Sequence, residues 1–197
     1  MYIWIQNGNT MFTEMARLLK SVAPFTNKEL EEASKLFRVE RLRKNAFISK
    51  EGLICDRLAF IRTGLMRSFY NIKGKDTTTY FLGPGSIAVA MSSFIEMKPA
   101  FENIQALEDS EVLILSKEKL ESLYRKSWKW QQTGRVIIEQ YYVIMEKRSI
   151  ALQTLSAKER YDALMQEHPG LLLKVPLHYV ASYLGISPET LSRIRRG

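Results

Sequence analysis

Hydrophobic and polar positions change their rhythm twice along this chain. Over residues 25–37, Leu30, Ala33, Leu36 and Phe37 fall at helical spacing. Thr26 stands at the N-cap position and Glu29 at the reciprocal capping-box position, so a short helix is predicted there. From residue 39 to 116 short apolar runs take over, at 39–42, 46–48, 58–61, 65–70, 77–81, 87–91, 103–106 and 112–115. Gly52, Gly64, Gly74, Gly83 and Gly85 punctuate them, and Thr77, Thr78, Thr79, Tyr80 and Phe81 are strong β-formers. Short strands at such regular intervals predict an antiparallel sandwich or barrel.

Helical spacing then returns. Ser116 caps a short helix through Leu120 to Tyr124, and a long helix is predicted over 128–152. Trp130, Gly134, Ile137, Tyr141, Ile144, Arg148 and Ala151 form a heptad seam, widened by Ile138, Tyr142 and Met145. So wide a stripe needs two neighbours, such as the β-domain and a second copy of the helix. A core helix of a monomer would also satisfy it, and Gly134 and Arg148 interrupt a pure coiled-coil seam. Ser156 and Glu159 form a second capping box for a helix to about residue 167, ended by His168-Pro169-Gly170. Residues 171–175 read as an apolar connector, 176–184 as a helix, and Ser187-Pro188 opens the last one. The opening ten residues fit no pattern, Met11 is an alternative start, and no role is assigned to residues 1–24.

The tail from Val180 to Arg196 carries the sharpest pattern. A helix-turn-helix needs apolar inward faces, a small residue where the helices cross and a glycine at the turn. Val180, Leu184, Ile186, Leu191 and Ile194 supply the faces, Ala181 the crossing and Gly185 the turn. An ordinary αα corner would meet the same requirements. The second helix offers Glu189 and Arg193 at i, i+4 spacing, suited to cytosine and guanine edges. Thr190, Ser192, Arg195 and Arg196 suit phosphates. A surface salt bridge between Glu189 and Arg193 is the competing use of that pair.

Composition sharpens this picture. The 197 residues carry a net charge of +8, which favours a polyanionic partner. A lone cysteine, Cys55, excludes an internal disulfide and a cysteine-based cluster or zinc site built by this chain alone. Both histidines, His168 and His178, lie near the end, so the strands hold no ligand set for a metal-dependent barrel enzyme or a haem sensor. No Ser-His-Asp, Walker or dinucleotide motif is present, and Gly83-Pro84-Gly85 lacks the P-loop lysine. A non-enzyme is expected. No apolar stretch is long enough to span a membrane, no signal peptide is apparent, and the expected compartment is the cytoplasm.

The order of β-roll, long helix and helix-turn-helix resembles the Crp/Fnr family of transcription regulators. Two segments carry the resemblance: Gly85-Ser-Ile-Ala-Val-Ala through Ile104-Gln-Ala-Leu-Glu-Asp-Ser-Glu-Val-Leu, and Leu184-Gly-Ile-Ser-Pro-Glu-Thr-Leu-Ser-Arg-Ile. It implies an α+β fold: an antiparallel β-roll of the jelly-roll type flanked by helices, a long dimerisation helix, and an all-α helix-turn-helix without an evident wing. The implied domains are a cyclic-nucleotide-binding-like sensor at 1–126, the long helix at 127–153 and a DNA-binding domain at 154–197. The small β-wing of many relatives has no counterpart before Gly197, so fewer phosphate contacts are expected. In the recognition motif Pro188 replaces a frequent arginine, while Glu189 and Arg193 match.

The sensor departs from the family pattern. Family members that bind cyclic nucleotides hold the ribose with a glutamate and the phosphate with an Arg-Ser pair; those positions are Ala90, Ala100 and Phe101. Glu102 would repel a phosphate, and the adenine-facing polar pair maps onto Ile144 and Met145. A charged hydrogen bond contributes about 1.5–3 kcal/mol, so losing two or three weakens binding roughly a thousandfold or more. The expectation is no binding of cAMP or cGMP, and no haem or iron–sulfur cluster. The candidate effector pocket comprises Gly85, Ala90, Met91, Ala100, Phe101, Ile144 and Met145; an apolar molecule suits it, and so does no molecule. Expected partners are duplex DNA and a second copy through the long helix, with RNA polymerase a further candidate and no membrane. The alternative is a ligand-binding or protein-interaction module that has lost or reduced DNA binding. Effector identity, target genes and activator or repressor role are not legible in the sequence.

Overall fold

The computed structural model describes residues 13–196. Two helices, α1 (Thr13–Val22) and α2 (Asn27–Ser34), precede eight strands. These are β1 (Arg38–Leu42), β2 (Phe47–Ser49), β3 (Arg57–Thr63), β4 (Met66–Ile72), β5 (Lys75–Leu82), β6 (Ile87–Ala88), β7 (Glu102–Ala106) and β8 (Ser110–Ser116), with α3 (Met91–Glu96) between β6 and β7. They make two four-stranded antiparallel sheets, ordered β1-β8-β3-β6 and β2-β7-β4-β5. The helices α4 (Lys117–Lys126), α5 (Trp128–Thr154), α6 (Ala157–Glu167), α7 (Leu171–Lys174), α8 (Leu177–Leu184) and α9 (Pro188–Arg196) follow. The mixed α+β fold with its β-roll, long helix and C-terminal helices agrees with the expected class.

Strand alternation decides where the cores lie. Ala59 and Ile61 of β3, with Val112 and Ile114 of β8, fill the space between the sheets. Their alternates Phe60, Leu113 and Leu115 face outward and pack under α1, α2, α4 and the start of α5, against Leu19, Leu30, Leu123 and Trp130. Covered on both faces, these strands read as continuous apolar runs rather than as alternating ones. A third cluster joins Leu65 and Phe81 of the roll to Leu164, Leu171, Val180, Leu184 and Leu191 of the C-terminal helices.

Both capping boxes form as expected, at Thr26/Glu29 and Ser156/Glu159. Three local expectations are corrected. The run 87–91 yields only the two-residue β6, because the chain turns into α3 at Met91, which ends at Met97 in the left-handed region. The connector 171–175 winds into α7. Residues 13–22, given no role, form an amphipathic helix whose Met15 and Leu19 are buried on the sheet; Met11 and the opening ten residues lie outside the described residues.

The turn between β3 and β4 rests on Gly64 (φ +101°): a Cβ there would lie 2.7 Å from the Ser110 Cα. Left-handed backbone and steric overlap act together at this position. Gly64→Ala is expected to lower unfolding stability in urea by about 2–4 kcal/mol with the m-value unchanged; a loss below about 1 kcal/mol would contradict this account of the turn.

Candidate effector pocket and nucleic-acid interface

A cavity of about 410 Å³ lies between the roll and α5, with α1 as its third wall. The turn at 83–86 forms part of its rim. Gly85 N–H donates to the Ile61 carbonyl at 2.8 Å, and Ile61 N–H donates to the Ser86 carbonyl at 2.9 Å, so the turn is tied to β3. Apolar walls come from Leu18, Leu82, Ile87, Ile104, Ile137 and Ile144. Tyr80 of β5 and Tyr141 of α5 approach across the cavity, ring centroids 6.3 Å apart.

One ionisable group belongs to this apolar lining and is itself buried. Glu102, at the start of β7, is 9% exposed and accepts a hydrogen bond from the Ser68 hydroxyl. Ser68 in turn exchanges a hydrogen bond with Thr79 at 2.9 Å. Burial pushes the Glu102 carboxyl above the usual carboxylate range, and the bond from Ser68 opposes that rise. Arg17 of α1, at the edge of the same cavity, is exposed.

The sequence-derived pocket residues separate into groups. Gly85, Met91 and Ile144 line the cavity. Ala90 and Ala100 lie instead in the core between the sheets, 0% and 2% exposed. Phe101 points to solvent, 75% exposed, and Met145 is 46% exposed on the outer side of α5. Ala90 precedes α3, and Ala100 and Phe101 lie in the connection before β7, where no periodicity in the sequence fixes which way a side chain points; Met145 is one residue round α5 from Ile144. Ser68, Tyr80 and Tyr141 were missed as lining residues, and Glu102, expected to repel a phosphate there, does line the cavity.

The C-terminal helices form the predicted pattern. Val180 and Ala181 are 0% exposed, Leu184 and Leu191 2% and 1%, and Ile186 packs at the edge of the same cluster. Gly185 caps α8 in the left-handed region (φ +68°). At the opening of α9 the Ser187 hydroxyl accepts from Thr190 N–H at 3.2 Å. Glu189, Arg193, Arg195 and Arg196 are exposed, and Thr190 and Ser192 are half-buried. Among the described residues no ion pair joins Glu189 to Arg193. Arg193 donates instead to the Thr190 hydroxyl at 3.3 Å, and a hydrogen bond from Ser187 holds Glu189 below its ordinary range. The carboxylate and the guanidinium are thus not committed to each other.

This two-helix unit is docked on the roll. The Ser182 hydroxyl of α8 accepts from Thr78 N–H at 2.9 Å and donates to the Asp76 carbonyl at 3.0 Å, capping the free edge of β5. The buried Arg67 guanidinium is sandwiched between the rings of Phe69 and Tyr179, 3.7 Å from each centroid, and donates to Asp76 at 2.6 Å. Its Nε and Nη1 have no hydrogen-bond partner and are covered in the stack, an arrangement suited to a planar guanidinium. From α5, Arg148 donates to the Tyr183 carbonyl at 2.8 Å and lies 4.1 Å from that ring's centroid. Arg160 donates to the Leu184 carbonyl at 3.0 Å and to the Leu155 carbonyl at 2.5 Å, clasping the α5–α6 joint to the end of α8.

Residues 39–127 match the family described as the cyclic nucleotide-binding domain. No curated protein matches the sequence. Among solved structures, FixK2 from Bradyrhizobium japonicum superposes with a TM-score of 0.71 at 20% identity, over 81% of this chain and 83% of that one. A CooA mutant from Carboxydothermus hydrogenoformans gives 0.68 at 16% identity, over 97% and 84%. A Eubacterium rectale protein described as a regulator of the Crp/Fnr family gives 0.68 at 16% identity, over 89% and 86%. Residues 39–127 thus match the cyclic nucleotide-binding domain, in a chain that shares its fold with these solved structures.

Proposed function

We propose that the chain is a dimeric, sequence-specific DNA-binding transcription regulator of the Crp/Fnr type whose sensor does not take a cyclic nucleotide. The observation that carries this reading is the outward face of α9: Glu189, Arg193, Arg195 and Arg196 stand in solvent on a helix anchored by buried Leu191. Such a face suits base edges near its start and phosphates along its length.

Dimerisation is supported by the two-sided character of α5. Its inner seam faces the chain's own body, where Ile137, Tyr141 and Ile144 wall the cavity. A second stripe, Ile138, Tyr142, Met145 and Leu152, is 44%, 65%, 46% and 42% exposed, at heptad spacing. A second copy of the helix would cover it and set two recognition helices about 34 Å apart. Against a cyclic nucleotide stand the missing ribose and phosphate ligands and the buried carboxyl of Glu102 in the same cavity. In this reading the docked helix-turn-helix is a restrained state. Effector binding beside Tyr80 reaches Arg148, which sits 5.8 Å from the Tyr80 ring, and through it the Tyr183 carbonyl.

Selection from random duplex DNA is expected to enrich an inverted repeat, and Arg193→Ala to weaken binding to it by about 1–3 kcal/mol without loss of helicity. Failure to enrich any symmetric site would remove the regulator reading. Tyr142→Glu is expected to shift sedimentation from dimer to monomer while leaving the melting curve near that of the parent; an unchanged dimer would place the interface elsewhere. Tyr179→Ala should speed hydrogen exchange at the Thr78 amide about tenfold by loosening the docked helices. Unchanged protection would show that the Arg67 sandwich does not hold them.

A further inference from the structure

The cavity beneath α1 sets a cationic demand that no ion pair among the described residues meets. Glu102 lines it at 9% exposure, and its carboxyl accepts a hydrogen bond from the Ser68 hydroxyl. No lysine, arginine or histidine among the described residues forms an ion pair with it. A buried carboxylate without a counter-charge is costly, and burial pushes this one's titration upward. The surrounding walls are apolar, from Leu18, Leu82, Ile104, Ile137 and Ile144, and the volume of about 410 Å³ is that of a small-molecule site.

We propose that this cavity binds a small apolar amine, its ammonium against the Glu102 carboxylate and its hydrocarbon body between the β-roll and α5. The assignment rests on the regulator reading only in naming this cavity as the effector site. The charge pattern excludes the mirror-image ligand. An apolar anion would set its carboxylate or phosphate against Glu102, and the single cation on the lining, Arg17, is exposed and screened by solvent. An alcohol would meet the hydrogen-bonding need of Glu102 without the charge, and so ranks between amine and anion.

The binding also carries a proton signature. The ammonium pairs with the ionised carboxyl, whose titration burial has moved upward, so amine affinity rises with pH through that range and levels above it. The other titratable or charged groups facing Glu102 come from β4, β5, α1 and α5. Tyr70 of β4 and Tyr80 of β5 are pushed above the ordinary tyrosine range by burial. Arg17 of α1 and Tyr141 of α5 complete the set.

Calorimetric titration of the full chain with n-octylamine, 1-octanol and sodium octanoate separates head group from hydrocarbon. The expected order at pH 8 is octylamine, then octanol, then octanoate, with about tenfold or more between first and last. Glu102→Gln should cut octylamine affinity about tenfold and leave octanol within about twofold. On the unmodified protein, octylamine affinity should fall on acidification to pH 4.5, below the raised titration of Glu102, while octanol affinity stays level, so the test does not depend on the variant folding. Octanoate binding as tightly as octylamine, a pH-independent octylamine affinity, or no binding of any of the three would overturn the assignment. Because no DNA is present, an amine-selective cavity in a protein that enriches no inverted repeat would sink the regulator alone. An enriched repeat with an amine-indifferent cavity would sink this assignment alone.

Discussion

The inner face of α5 ties the molecule together, because one helix side must satisfy three different neighbours in succession. At its start Trp130 is buried beneath the outer sheet face, its ring tilted by 59° against that of Phe25 with centroids 4.9 Å apart. One turn on, Gly134 leaves room for the Tyr124 ring: a Cβ there would stand 2.8 Å from the tyrosine Cζ, so a larger residue would displace that ring. Ile137, Tyr141 and Ile144 then wall the cavity, and Arg148 closes the series on the Tyr183 carbonyl. A bend or slide of this helix changes packing, cavity and docked helices together, since interiors at crystal-like density transmit displacement rather than absorb it.

That arrangement explains the two residues that do not suit a dimer seam. Gly134 and Arg148 look like defects when the seam is assigned to a partner helix, and both have intramolecular work instead. The sequence pattern held two interleaved heptads, one turned inward and one outward, and periodicity alone could not say which stripe met which neighbour. The outward stripe beginning at Ile138 is the cleaner of the two.

Much of the fold was legible because local chemistry and tertiary need coincide. Capping boxes at Thr26 and Ser156, the left-handed turn at Gly185 and the inward Val180, Leu184 and Leu191 each follow from residue type alone. The pocket was less legible. Counting positions along a family pattern placed Ala90, Ala100 and Phe101 at a ligand, yet two of them fill the core and one faces water. All three lie in connections outside the strands, where side-chain direction follows from tertiary packing, a non-local property that one sequence does not expose. Helix α1 was overlooked for a different reason: Met15, Leu18 and Leu19 have helical spacing, but the segment adjoins an opening that fits no pattern.

The Ser182 clasp on β5 has a consequence for the roll by itself. That strand is the outermost of its sheet, and beside it Phe81 packs under Tyr183 with ring centroids 5.3 Å apart. Shorn of the residues after α5, the β-domain would present a bare strand margin and an uncovered aromatic patch, the combination that invites sheet-to-sheet adhesion between molecules. The C-terminal helices thus shield the adhesive margin of the domain that carries them.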